Sequence, residues 1–366
     1  RNMLLVQGAG GNSSLKQNDV LWVKASGTWL ADANETNIFV PVLLPAAREA
    51  LAGDDERIPL AAPGPLRASI ETSLHALLPH RIVLHVHAVN TIAWAVRREA
   101  RDEFAARLDG LSWRDLDYFH PGLPLARAVS EIVARERIDV LILGNHGLVV
   151  GAETCAEAEA LVHDVERRLA LPVRPTPDAD EAALRRLCAG TDYRVPHDAG
   201  SHGIATDPFS LMIATGGSLY PDHVVFLGPG LPTIDGADGL ATMLARAASS
   251  DVPAPVAALA PGLGAIIRND ASPGAEAMLS CLALVTSRLP LDADVIYLSA
   301  MHEQALLNWD AERYRQQLTA DLEGCCRAVR AHNTSSWGLA ARPYSVTVHL
   351  TSCLFGGLQF EVQHPI

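Results

Sequence analysis

The chain has 366 residues, 49% of them apolar and 19% charged, with a net charge of −13. This length allows two domains with a sizeable buried core. The acidity argues against nucleic acid as a partner, because phosphate backbones repel it. No apolar run reaches the roughly 18–20 residues of a membrane-spanning helix, and no basic segment opens the chain as it would in a secretory signal.

In chain order, MLLVQ, SSLK and VLWVKAS (residues 3–26) read as short strands separated by turns at GAGGN and QND. Gly8 and Gly10 match two positions of the G-x-G-x-x-G dinucleotide fingerprint, but Ser13 occupies the third. No crossover helix has room to follow. GAGGN therefore reads as a turn between antiparallel strands. Its N–H groups, with Asn12 and Ser13, could line an anion site or simply close a hairpin.

Helical patterns follow at 42–52 and 68–78, then a strand at 81–87 (RIVLHVH) and amphipathic helices at 89–108 and 123–136. IDVLILGNHGLVVGA (138–152) reads as strand, glycine-bounded turn and strand. Residues 153–170 form a clear helix whose early Glu residues suit its N-terminus. The proline- and acid-rich stretch 171–195 reads as a linker between a domain at 1–170 and a smaller α/β domain at 196–331. In the second half, strands are expected near HVVFLG (223–228), VAALAPG (256–262) and VIYLSA (295–300), and helices at 237–248, 273–288 and 311–331. The tail, 332–366, has mixed signals and is not placed.

The six cysteines (155, 188, 281, 325, 326 and 353) contain no C-x-x-C pair, so a cysteine zinc site and a thioredoxin-type motif are unsupported. They read as reduced thiols of a cytoplasmic protein. Lysine occurs only at Lys16 and Lys24. Arginine cannot replace it as an amine nucleophile.

Histidines carry the clearest chemistry. In a strand, residues i and i+2 share a face with Cα atoms about 7 Å apart, so His85 and His87 can converge on one ion. Alternatively, they sit on a solvated face. His146, between Gly144 and Gly147 at a strand end, offers a third imidazole or serves as a structural turn residue. Glu71, on the helix before the H-x-H strand, could act as a base, as a further ligand, or as a favourable charge at a helix start capped by Ser69. His75 lies one turn on, as a second-layer partner or a structural residue. His223, in PDHVV, is a candidate lid contact, though surface or interdomain histidines are commoner in such a place.

GGNSS, KASGTWL, SIETSLH, HVH and GNHGL, in that order across residues 5–165, resemble the class II aldolase/adducin family. The SIETSLHALLP wording is most similar to the aldolase part of fused rhamnulose-phosphate aldolase/alcohol dehydrogenase proteins. The resemblance implies a three-layer α/β/α domain with a largely antiparallel central sheet, followed by the smaller C-terminal α/β domain. It also implies Zn2+ or another divalent cation on His85, His87 and His146, and Glu71 as the catalytic carboxylate. Asn12, Ser26, Gly27 and Ser69 fall where the family binds a substrate phosphate, although Ile70 replaces a hydroxyl residue there. Tyr118 is a loose match to the family's proton-donating tyrosine, which comes from a neighbouring subunit. Family members are commonly homo-oligomers, often tetramers.

Aldol cleavage needs an enolate stabilised by a Schiff-base lysine or by a metal. Two lysines and three histidines favour the metal. The expected activity is reversible cleavage of a ketose or ketose phosphate through a metal-stabilised enediolate, with Glu71 moving a proton and its pKa raised for the purpose. An epimerase or dehydratase on the same site, and an NAD-dependent sugar dehydrogenase using the second half, are the alternatives. The three histidines argue against a structural, adducin-type role.

Overall fold

The computed structural model describes residues 2–53, 58–62, 64–250 and 253–310. Among the described residues there are ten strands: β1 Asn12–Gln17, β2 Val20–Lys24, β3 Phe39–Leu43, β4 Ile82–Val86, β5 Trp113–Leu116, β6 Val140–Leu143, β7 Gly147–Ala152, β8 Tyr193–Arg194, β9 Ala257–Ala260 and β10 Gly264–Arg268. The α-helices are α1 Leu44–Glu49, α2 Thr72–Leu77, α3 Val89–Ala95, α4 Ala100–Arg107, α5 Leu123–Val133, α6 Cys155–Arg168, α7 Glu181–Cys188, α8 Gly203–Thr206, α9 Pro208–Gly216, α10 Pro221–Leu227, α11 Gly236–Ala248, α12 Pro273–Thr286 and α13 Ala300–Leu307.

The first seven strands form one sheet in the order β3-β2-β1-β4-β7-β6-β5. Its pairs are antiparallel except β5 with β6. Strand β4 lies at the centre, and its alternation sorts the layers. Ile82, Leu84 and Val86 join a core with Trp94, Phe104, Val162 and Val165 from α3, α4 and α6. Val83 turns the other way, to Leu74 of α2 and Leu125 and Val129 of α5. Helices on both faces of one sheet make three layers, α/β/α. Helix α6 starts with a capping box in which Thr154 and Glu157 satisfy each other's backbone N–H.

The C-terminal part builds a second, antiparallel sheet, β8-β10-β9. It is not a separate bead. Val89, Ile92, Ala93 and Val96, in and just after α3, share one core with Ile204, Leu219, Met278, Leu279 and Leu282.

Several expectations need correction. MLLVQ is a turn-rich segment without strand. Its Gln7 side chain donates to the carbonyls of Met3 (2.7 Å) and His87 (3.1 Å), and Leu5 enters the core. Residues 171–195 are not all connector, since α7 and β8 lie within them and Leu184 and Tyr193 are buried. HVVFLG belongs to helix α10 rather than a strand. Pro221 occupies its first turn, Gly228 at φ 89° ends it, and all seven residues are buried. A short apolar run buried on every side carries no periodicity to distinguish the two. Near 295–300 only Val295 pairs, in an isolated bridge with Arg97. Strand β3 escapes the sequence pattern because Pro41 interrupts it; β3 lies at the sheet edge, where a missing N–H is tolerated. The helix expected at 311–331, the tail at 332–366, and Cys325, Cys326 and Cys353 lie outside the described residues. Cys155, Cys188 and Cys281 are buried and form no disulfide among the described residues.

Candidate metal centre

The site assembles at one end of β4. His85 stands in the strand opposite Asn12 of β1 and Val149 of β7, and His87 follows the strand's last residue. His146 sits in the β6–β7 turn, one residue before β7. Asn145 beside it adopts φ 51°, in the left-handed region. Its Nδ2 donates to the carbonyls of Leu219 (2.8 Å) and Ile296 (2.7 Å), fixing the turn against the C-terminal part.

One ring nitrogen from each of His85, His87 and His146 lies within 4.8 Å of the others, and all three residues are buried. His85 Nε2 and His87 Nε2 are 3.1 Å apart. Glu71 Oε2 lies 3.5 Å from His85 Nε2, and Oε1 lies 3.6 Å from His146 Nε2. His85 Nδ1 donates to the Leu148 carbonyl at 3.0 Å, and His87 Nδ1 faces Asp222 Oδ2 at 2.9 Å. His85 Nδ1 therefore carries the proton, which leaves its Nε2 lone pair facing the His87 ring. Burial pushes the His85 ring down from its ordinary pKa, against the field of Glu71. His146 is pushed down to about 3 by burial, again against Glu71. Neutral imidazoles with converging lone pairs suit a divalent cation. Two nitrogens at zinc-ligand distance in a tetrahedron are about 3.3 Å apart, close to the spacing here.

Glu71 precedes α2, and its N–H donates to Ser69 Oγ at 3.2 Å. Asn12 Nδ2 donates to Glu71 Oε2 at 2.6 Å. Oε1 accepts no hydrogen bond from the described residues. Burial pushes the Glu71 carboxyl up, but His85, His146, His87 and the Asn12 amide together outweigh it. The net displacement is downward. The expectation of a raised carboxyl fails because three imidazoles and the Asn12 amide crowd this carboxylate.

Asn12, Ser26, Gly27 and Ser69 line the same cleft as Glu71, His87 and His146. Lys24 lines it too. Its Nζ donates to the carbonyls of Thr28 (2.7 Å), Ala9 (3.3 Å) and Ala25 (3.5 Å). An amine whose protons are held by three carbonyls offers no lone pair for a Schiff base.

Other candidates fall elsewhere. His75 Nδ1 pairs with Ser14 Oγ at 2.8 Å and is not part of the three-histidine group. Tyr118 stacks on His302 (4.7 Å between centroids) and lines a different cavity, with Arg97 and Arg101. His223 faces the core, where its Nδ1 accepts the Leu219 N–H at 3.3 Å. Adjacent residues on a helix diverge by about 100°, so it is Asp222 that reaches the cleft. Sequence reasoning passes over Asp222 because its segment reads as a strand.

The glycines of GAGGN have a steric role. A Cβ on Gly10 would lie 2.7 Å from His87 Nδ1 and 2.8 Å from Asp222 Oδ2, and one on Gly11 would lie 2.8 Å from the His85 carbonyl. The loop is glycine because it presses on the histidine strand.

Residues 2–172 match the family model for the class II aldolase and adducin N-terminal domain. That segment belongs to the class II aldolase/adducin family. A curated relative, "Uncharacterized oxidoreductase YuxG" of Bacillus subtilis (strain 168), is 28% identical over 163 residues, which is 40% of this chain and 24% of the relative. The chain thus spans about a quarter of that protein. Among solved structures, the N-terminal class II aldolase domain of a conserved protein from Thermoplasma acidophilum is 28% identical (TM-score 0.39), covering 44% of this chain and 82% of that one. L-fuculose-1-phosphate aldolase from Thermus thermophilus is 19% identical (TM-score 0.31), covering 45% and 82%. The class II aldolase/adducin segment contains the three histidines and Glu71. The carboxylate facing His87 lies beyond it.

Proposed function

We propose that the chain is a divalent-metal-dependent aldolase that reversibly cleaves a ketose or ketose phosphate. The observation that carries this reading is the convergence of three imidazoles and one carboxylate in a buried cluster that opens to a cleft. His85, His87 and His146 would hold the cation, which supplies Lewis acidity to the carbon–carbon cleavage and makes a Schiff-base lysine unnecessary. Glu71 Oε1, with no hydrogen bond from the described residues, takes up and returns a proton, while Asn12 fixes Oε2. Ser26, Gly27 and Ser69 place hydroxyl and backbone donors where an anionic or hydroxylated end of the substrate would sit. The buried charge of Lys24 biases the cleft toward anions. Aldol cleavage takes a proton from the hydroxyl beyond the breaking bond and dehydration takes one from the carbon beside the carbonyl, but both leave the electron pair on the carbonyl side, so the product decides between them.

Dehydrogenase chemistry has weaker support, because the glycine loop leads into strand β1 and packs on the histidines rather than opening a helix for a pyrophosphate. The test is release of a three-carbon ketone or its phosphate from a panel of ketoses and ketose phosphates. Expected is activity lost after chelation and restored by Zn2+ or another divalent cation. Nicotinamide fluorescence quenching with no metal in the protein would overturn the assignment.

A further inference from the structure

Asp222 stands outside the class II aldolase/adducin segment, which ends at residue 172, yet it reaches the heart of the site. It is 1% exposed, and its Oδ2 lies 2.9 Å from His87 Nδ1. Burying a carboxylate is costly without a partner, and the His87 ring nitrogen stands at ion-pair distance from it. The opposite nitrogen of the same ring, Nε2, points into the three-histidine cluster. A carboxylate behind an imidazole fixes the tautomer and ring orientation and raises the basicity of the far nitrogen. His85 obtains its orientation from the Leu148 carbonyl inside the sheet. His87 lies past the end of β4, where no strand neighbour supplies an acceptor to its Nδ1. The glycine loop gives a second, independent observation. Gly10 leaves room for this contact and no more, since a methyl group there would press on both His87 Nδ1 and Asp222 Oδ2.

We propose that Asp222 is a positioning residue for the metal centre: docking of the C-terminal part delivers, through the start of α10, the carboxylate that orients His87. The site described as belonging to residues 2–172 is then incomplete without the second half of the chain. This rests on the metal reading above and adds to it a coupling between cation affinity and docking of the C-terminal part.

The test uses the full chain and zinc alone, with affinity measured by competition against a chromophoric chelator. Wild type is expected to hold about one zinc per chain. Asp222→Asn, which keeps the shape and removes the charge, is expected to lose about 10- to 100-fold in affinity, with an altered visible spectrum in the cobalt-substituted protein. In a His87→Ala background the same change is expected to have no further effect, since a purely structural contribution of Asp222 would persist there. Absence of zinc from the wild type would sink the metal reading itself. Zinc bound by the wild type but held by Asp222→Asn within about twofold, or an undiminished effect in the His87→Ala background, would overturn the positioning role alone. If Asp222→Asn does not fold, Gly10→Ala decides: an affinity loss of about tenfold in a variant that still melts cooperatively supports the proposal, and unchanged affinity overturns it.

Discussion

In the proposed reaction, Glu71 is the residue on which turnover depends most directly. One oxygen is held by Asn12 at 2.6 Å, and the other accepts no hydrogen bond from the described residues. Glu71→Gln keeps the shape but cannot accept a proton, so kcat is expected to fall about 10²- to 10⁴-fold while zinc content stays near that of the wild type. Loss of metal together with activity would instead make the carboxylate chiefly a ligand. His146→Ala is expected to do the opposite, lowering zinc affinity first, as read by chelator competition and restored activity at high metal concentration. These residue types are visible in the sequence, because H-x-H on a strand and a histidine between glycines carry their spacing with them. The downward displacement of the Glu71 carboxyl is not. It arises from side chains on β1, β4 and the β6–β7 turn that come together only in the fold.

At the scale of elements, the β6–β7 turn is the joint between the three-histidine cluster and the C-terminal part. The Asn145 amide satisfies two backbone carbonyls from that part and holds a left-handed conformation that suits asparagine. Asn145→Ala would strand both carbonyls and strain the turn, with an expected loss of roughly 3 kcal/mol in urea unfolding. A change within a few tenths of a kcal/mol would show that the joint is held by packing alone. Thr154→Ala, by contrast, removes one side of a capping box at the surface and is expected to cost about 1 kcal/mol without touching the site. The α6 start is readable from sequence because its cap is local. Helix α10 is not, because all seven of its residues are buried, Asp222 and His223 included, and a segment buried all round has no exposed face to betray its period.

For the molecule as a whole, the shared core is the main constraint. Val89, Ile92 and Val96 pack against the C-terminal part, so the segment 2–172 expressed alone would expose them. At the usual transfer energies this forfeits roughly 5 kcal/mol, and the fragment is expected to melt well below the full chain or to aggregate. An equal melting temperature would mean that the two parts fold independently. Stability should also depend on pH. His75 is held well below its ordinary pKa by burial, and His223 is pushed to about 3 by burial. Between those depressed values and the ordinary value of about 6.5, the unfolded chain binds more protons. Their contribution is therefore complete above about pH 6.5 and lost as pH falls. From about pH 6.5 to about pH 5, His223 should cost about 1.6 kcal/mol in urea unfolding, and His75 acts in the same direction. A flat profile across that range would contradict their burial as neutral rings.

The amino-acid sequence alone determined the chemistry on offer: three imidazoles and a carboxylate in family order, two lysines in all, and strand and turn patterns strong enough to place most of the first sheet. Those signals are local, within a few residues of each other or tied to one element's period. The tertiary structure decided what is non-local. It set Asp222 behind His87 across more than a hundred residues of chain, put glycine rather than any side chain between them, and fused the two parts through α3. Such choices depend on which surfaces meet when apolar faces are buried, and no spacing along the chain records that.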